Sequence, residues 1–202
     1  AGSDEAEDDG GAVINLNQSF EFYSRLYNAL VVSSNGYLSF AASLQGDNGG
    51  DFSNDCHLPA VPDNGAADLA RIAVLHDDLT AGVDAAIYTS YFTNCPRTGD
   101  GAEGACTIVQ WHNWDFHNTP GANLSFQVLL YHDSRAIVSQ YLNVAEIETD
   151  SATVGIQAAS LRSAANLACN QNQMLPATGA WCLSHPLGLD IINDSGFEFS
   201  VK

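Results

Sequence analysis

Short runs of alternating apolar and polar residues follow one another along most of the chain, with Gly, Asn and Asp between them. An alternation with a period of two is typical of a half-buried β-strand, because successive side chains point to opposite faces. Many short strands separated by turn residues predict an all-β fold, a single antiparallel, jelly-roll-like β-sandwich with long irregular loops. The strand-like segments are Val13–Leu16, Phe20–Tyr23, Ile72–Leu75, Ala86–Phe92, Thr107–Trp111, Leu124–Tyr131, Ala136–Tyr141, Thr153–Gln157, Leu187–Ile192 and Gly196–Val201.

The run from Leu30 to Phe40 carries the strongest local signal. Asn35 and Gly36 lie between apolar residues there, and both residue types accept a positive φ easily. The pattern therefore predicts a β-hairpin with a tight turn at this pair. The nearly continuous apolar run Leu124–Tyr131 predicts a central strand that is covered on both faces.

Two other segments differ from the alternating pattern. Ser160–Ala168 is short and rich in alanine, which predicts at most one short helix. Residues 1–11 are acidic and rich in glycine, and this composition is typical of a disordered tail. The predicted organisation is therefore an acidic tail over residues 1–11 and a single β-sandwich domain over residues 12–202.

The charge of the chain is strongly one-sided, with 24 acidic residues, six Lys and Arg residues and a net charge of −18. Such a surface repels nucleic acids and anionic membranes and attracts divalent cations. No apolar run is long enough to cross a bilayer, so we expect no membrane insertion. Because the chain begins with Ala1, we expect a mature exported protein, secreted or on the cell surface, with an excised piece as the alternative.

Five cysteines lie far apart with no CxxC pair, which argues against a zinc ribbon. Cys95 and Cys106 bracket one polar loop, and Cys169 and Cys182 bracket another, so both pairs are predicted disulfides. Cys56 is then left over, either buried and free or bonded to another chain, and other pairings remain open.

Several motifs recur in an order and spacing that resemble the nidogen-like (NIDO-like) extracellular domains of bacterial secreted and surface proteins. The motifs are Phe20–Tyr23 with Tyr27–Phe40, Ile72–Leu79 (IAVLHDDL), Val109–Asn113 (VQWHN), Phe126–Tyr131 (FQVLLY) and Ala152–Gln157 (ATVGIQ). His76 departs from the family pattern, in which a tryptophan is usual. The resemblance spans residues 20–157 and implies a non-catalytic β-sandwich module of extracellular assemblies and adhesive proteins, sometimes attached to secreted hydrolases.

Motifs of the common catalytic sites are missing from the sequence. There is no G-x-S-x-G elbow, no H-E-x-x-H helix and no glycine-rich loop between a strand and a helix. We therefore expect no enzyme activity.

Three groups of residues are candidate metal ligands, so calcium or another divalent cation is the expected cofactor. The loop with Asp47, Asp51 and Asp55 offers oxygen ligands of the kind that calcium prefers, although it lacks the spacing of a known calcium loop. His76, Asp77 and Asp78 end one strand. In the third group, Asp115 and His117 share a strand face while His112 lies on the opposite face. Imidazole with carboxylate suits zinc or copper. The alternative is that all these residues are ordinary polar groups of loops and strand ends.

The expected function is a secreted structural or adhesive protein that assembles with copies of itself into a filament or matrix. The short apolar strand of Val13, Ile14, Asn15 and Leu16 suits pairing with the edge of another copy, or simply with its own sheet, and Cys56 offers a cross-link. The alternative is a glycan- or metal-binding accessory module of a secreted hydrolase. A glycan-binding module should expose the tryptophans on one face, whereas a structural subunit should bury them; the three are Trp111, Trp114 and Trp181.

Overall fold

The computed structural model describes residues 8–97, 104–144, 151–170 and 179–183. Within these ranges the chain forms eleven strands and no helix. The strands are β1 (Gly11–Phe22), β2 (Arg25–Ser33), β3 (Tyr37–Ser39), β4 (Arg71–His76), β5 (Leu79–Phe92), β6 (Cys106–Phe116), β7 (Thr119–Tyr131), β8 (Ile137–Asn143), β9 (Thr153–Gln157), β10 (Ala164–Cys169) and β11 (Gly179–Leu183).

The strands form two antiparallel sheets that pack face to face, which confirms the predicted all-β sandwich. The six-stranded sheet has the order β1-β2-β3-β4-β9-β10, and the five-stranded sheet has the order β11-β8-β7-β6-β5. Between them lies one large apolar core, in which the rings of Trp111 and Phe126 stack with centroids 5.0 Å apart. The predicted central strand lies within β7, and Leu129 and Tyr131 are buried in a second apolar cluster on the outer face of the sheet.

The predicted hairpin is present as β2 and β3, but its turn is of a different kind. Val32 pairs with Leu38, and the turn carries a positive φ at Gly36 but not at Asn35. A Cβ added at Gly36 would collide with the carbonyl oxygen of Leu75. The side chain of Asn35 instead accepts a hydrogen bond from the backbone N–H of Leu79 at 2.9 Å. This turn is therefore fixed by contacts with the ends of β4 and β5 as well as by the positive φ of Gly36.

The predicted helix at Ser160–Ala168 is wrong. Its second half forms β10, which pairs antiparallel with β9. Ala165 and Ala168 are buried in the core, so pairing and burial outweigh the helix preference of alanine. The predicted strands Leu187–Ile192 and Gly196–Val201 lie outside the described residues.

The structure contains the predicted disulfide between Cys95 and Cys106, whose Cα atoms lie 5.4 Å apart. The predicted partner of Cys169 is wrong, since Cys169 bonds to Cys56 with a Cα separation of 5.5 Å. Cys182 takes part in neither bond. It lies on β11 in the five-stranded sheet, whereas Cys169 ends β10 in the six-stranded sheet, so nearness in sequence does not bring them together.

Candidate metal cluster and open edge of the sandwich

The predicted calcium loop is organised around an arginine. Asp47 and Asp51 are buried, and each carboxylate binds the guanidinium of Arg71, with 2.8 Å between Asp47 Oδ2 and Arg71 Nη2. The guanidinium also lies over the ring of Tyr37, 4.3 Å from its centroid. Burial raises the pKa of Asp47, but the Arg71 charge and several hydrogen bonds outweigh it and hold the pKa below its ordinary value. One guanidinium therefore binds both carboxylates and balances one of their two negative charges.

Two other predicted ligands belong to the same buried neighbourhood. His76 is buried, with its Nε2 3.0 Å from the carbonyl oxygen of Asp51 and its ring 4.8 Å from that of Tyr37. Burial is the main reason that the pKa of His76 falls to about 4. Burial, with repulsion from Asp51 and Asp63, raises the pKa of Asp55 to about 6. His76 is therefore a neutral core residue at pH 7, packed beside the arginine network.

His76 at the end of β4 and the two residues that follow it, Asp77 and Asp78, point in different directions. His76 faces the arginine network, whereas the Asp77 carboxylate accepts hydrogen bonds from the Ser151 hydroxyl and from the backbone N–H of Asp78. The carboxylate of Asp78 lies 3.8 Å from Nδ1 of His117. The predicted ligand set of His76, Asp77 and Asp78 therefore does not form.

The predicted ligands His112, Asp115 and His117 also do not come together in one site. Asp115 accepts hydrogen bonds from the backbone N–H groups of Gly121 and Asn123, at 2.9 and 2.8 Å, and so holds the β6–β7 hairpin together. His112 lies 3.4 Å from the hydroxyl of Ser125. The register of β6 shifts after Trp111, so the simple alternation assumed for residues 112–117 does not apply.

Two of the predicted ligands, Asp78 and His117, meet a third residue, Asp8, at the end of the sandwich. Potential ligand atoms of Asp8, Asp78 and His117 all lie within 4.8 Å of one another. Oδ1 of Asp8 is buried and accepts no hydrogen bond from the described residues. The pKa of Asp78 is raised above its ordinary value, chiefly by burial. The charge of His117 lowers it in part, and repulsion from Asp9 and Asp8 adds to the rise. We call these three residues the metal cluster, since two carboxylates and an imidazole are a common ligand set for divalent cations.

Asp8 was not predicted as a ligand because the sequence suggested a disordered tail. The β2–β3 turn holds residues 8–10 in place instead. The Ser34 N–H donates to the Gly10 carbonyl at 2.8 Å, and the Gly10 N–H donates to the hydroxyl oxygen of Ser34. The Asn35 amide donates to the Asp9 carboxylate at 2.9 Å. The turn therefore carries the acidic segment to the metal cluster.

On one side of the sandwich, no other described strand pairs with the outer edges of two long strands. β1 and β5, of 12 and 14 residues, are the edge strands of their sheets. Between them lies a groove of about 1040 Å³. Its apolar lining includes Ala12, Ile14, Val32, Ala85, Ile87 and Trp114. We call β1, β5 and this groove the open edge.

The predicted assembly residues occupy two different places. Val13, Ile14 and Asn15 pair with β2 in their own sheet, opposite Val31, Leu30 and Ala29, and Leu16 lies at the irregularity that follows. Their strand is nevertheless at the edge, so its outer side faces the open edge. Cys56 is bonded to Cys169, so the prediction that it is free or bonded to another chain is wrong.

The tryptophans do not form an exposed platform. Trp111 is fully buried and donates its Nε1–H to the carbonyl of Ser33 at 2.8 Å. Trp114 is buried, with its Nε1 3.4 Å from the Ala86 carbonyl. Trp181 is partly buried and packs against the core. These three rings contribute to the core rather than to a ligand-binding surface.

Comparison with known proteins gives one finding. A family model described as NIDO related matches residues 2–181. Neither the curated proteins nor the solved structures give a match. A search of the described residues for a helix that could span a membrane finds none.

Proposed function

Because the chain belongs to the NIDO-related family, we propose that it is a secreted, non-catalytic structural or adhesive protein that associates with copies of itself through the open edge. The extracellular character of nidogen-like domains and two disulfides fit a secreted protein, since disulfides persist in oxidising compartments. The open edge is the observation that carries the proposal.

Edge strands offer unpaired backbone groups to any other strand, and proteins usually protect them with charges, proline or short length. Charges and proline are both missing from much of the open edge, and its two strands are long. Residues 12–20 of β1 and residues 85–92 of β5 contain no charged side chain and no proline, in a chain with a net charge of −18. Among the described strands, none pairs with the outer side of β1 or β5. A strand from a second copy would satisfy these backbone groups.

Exposed apolar side chains reinforce this proposal. Val13 of β1 is 38% exposed, and Tyr88 and Val83 of β5 are 55% and 79% exposed. Each apolar side chain that a second copy covers stabilises the contact by about 25 cal/mol for every Å² removed from water. Strand pairing and apolar burial would therefore act on the same surface.

A divalent cation at the metal cluster is part of the same proposal. Calcium prefers oxygen ligands alone, whereas Asp8, Asp78 and His117 combine oxygen and nitrogen and suit zinc or a similar ion better. An ion bound there would neutralise the repulsion between carboxylates and hold residues 8–10 beside the start of β1.

The alternative of a glycan-binding accessory module depended on exposed tryptophans. Trp111 and Trp114 are buried instead, and this burial supports the structural proposal.

The experiment compares two lysine variants by sedimentation velocity over a wide range of protein concentration. Val13→Lys places a charge on the open edge, and Val61→Lys places the same charge on a loop at a valine that is 64% exposed. We expect the unchanged protein and Val61→Lys to associate alike, and Val13→Lys to associate at least about tenfold more weakly, which is about 1.4 kcal/mol. A protein that remains monomeric at high concentration, with and without zinc, would contradict the proposal.

A further inference from the structure

Three glutamines form a row across the outer face of the five-stranded sheet. Gln110 of β6 pairs with Gln127 of β7, which pairs with Gln140 of β8. Residues directly opposite on neighbouring strands share one face of a sheet, so the three side chains lie side by side. Their neighbours Trp111 and Phe126 are buried in the core, so the glutamines point away from it.

The row is already oriented by a hydrogen bond within it. Nε2 of Gln127 donates to Oε1 of Gln140 at 2.6 Å. This leaves the carbonyl oxygen of Gln127 and the amide nitrogen of Gln140 without a partner among the described residues. The amide of Gln110 also makes no hydrogen bond there. Donors and acceptors for a ligand are therefore available along the row.

A hollow of about 300 Å³ lies over this row, at the lower limit of the volumes of small-molecule sites. Its lining contains no acidic or basic side chain. At one side Leu142 is the extra residue where the register of β7 and β8 shifts, and its side chain is 72% exposed. Bulges of this kind commonly redirect a side chain toward a binding site.

The opposite end of the row carries an aromatic ring. Tyr88 of β5 pairs with Gln110 and is largely exposed. From Tyr88 to Gln140 the row crosses three strand spacings, about 14 Å in total, which is comparable to a short oligosaccharide. The face therefore combines an aromatic ring, three amides and an apolar side chain along one line.

From this arrangement we infer that the outer face of the five-stranded sheet binds a neutral polysaccharide. A carboxamide presents a donor and an acceptor side by side, which matches a pair of neighbouring sugar hydroxyl groups. Tyr88 and Leu142 supply apolar surface for the C–H faces of the sugar rings. The net charge of −18 repels anionic polymers, so the ligand is an uncharged glycan. The three glutamines lie on β6, β7 and β8, away from the open edge, and Tyr88 of β5 is the one residue that belongs to both surfaces.

The test is native affinity electrophoresis in gels that contain soluble mannan, dextran or β-glucan. We expect at least one of these polymers to retard the unchanged protein. The double variant Gln110→Ala/Gln140→Ala removes two of the three amides of the row and should weaken binding at least about tenfold. Gln45→Ala, an exposed amide in the connection between β3 and β4, is the matched control and should bind like the unchanged protein. Melting temperatures of all variants confirm that each one is folded.

Three outcomes would overturn this inference. The first is that none of the three polymers alters the mobility of the unchanged protein. The second is that the glutamine double variant is retarded as much as the unchanged protein. The third is that Val13→Lys loses retardation although its glutamines are intact. The last result would assign the glycan to the open edge. Sedimentation velocity reports self-association separately, so a failure of either proposal is visible without the other.

Discussion

Replacing Arg71 by methionine should destabilise the protein more than most single substitutions, because it leaves two buried carboxylates without their partner. The side chains of Asp47 and Asp51 are 0% and 1% exposed, and that of Arg71 is 4% exposed. Removing one partner of a buried ion pair costs about 3–5 kcal/mol. Asp47 keeps hydrogen bonds from Tyr37, Gly49 and Asn64, so we expect the lower part of this range.

Thermal unfolding at neutral pH measures the effect. A loss of about 3 kcal/mol lowers the melting temperature of a domain of this size by about 6–12 °C. Arg71→Lys keeps the charge but loses the two-pronged contact, so its loss should be smaller. The triple variant Arg71→Met/Asp47→Asn/Asp51→Asn removes all three charges and should recover part of the stability of Arg71→Met.

The pH dependence provides a second check. The pKa of Asp47 is lowered in the folded protein, so its contribution to stability is present above the unfolded pKa and is lost as pH falls through the folded pKa. In Arg71→Met, burial acts on Asp47 without the compensating charge and raises its pKa. The difference between the two proteins should therefore be largest at neutral pH and shrink in acid. Equal melting temperatures at pH 7, or a difference that grows on acidification, would refute the argument.

Three further predictions concern the turn, the disulfide and the metal cluster. Gly36→Ala should lower the free energy of unfolding by at least about 1 kcal/mol more than Gly65→Ala. Both glycines have positive φ, but only at Gly36 would the new Cβ meet a backbone atom. Equal melting temperatures of the two variants would contradict this. Peptide mapping without reduction should recover Cys56 linked to Cys169, and a Cys169–Cys182 peptide would contradict it. Zinc should raise the melting temperature of the unchanged protein but not of Asp78→Asn, and equal shifts would exclude the cluster.

Local patterns in the sequence were sufficient for the fold class and for most of the strands. Period-two alternation located most strands, and Gly36 identified the hairpin because a positive φ depends on the residue itself. The disulfide between Cys95 and Cys106 was also predictable, since it closes the connection between two strands that are consecutive in the chain. Each of these features depends on residues that are close together in the sequence.

Features that depend on the pairing of distant segments were not predictable. Cys169 meets Cys56 because β10 is added to the six-stranded sheet beside β9, and no local signal indicates that order. Arg71 binds Asp47 and Asp51 of the predicted calcium loop from a strand on the far side of an irregular segment. Asp8 joins the metal cluster only because the β2–β3 turn holds residues 8–10, whereas the composition of this segment indicated disorder.

The position of β1 and β5 on the same side of the sandwich has a consequence for symmetry. If two copies join through their open edges, a two-fold axis relates them, and each contributes both of its long edge strands to one contact. Such a contact is closed, so growth stops at two subunits. A filament needs a second, different surface, and the opposite side of the sandwich, where β10 and β11 are the edge strands, is the place where a chain of dimers would continue.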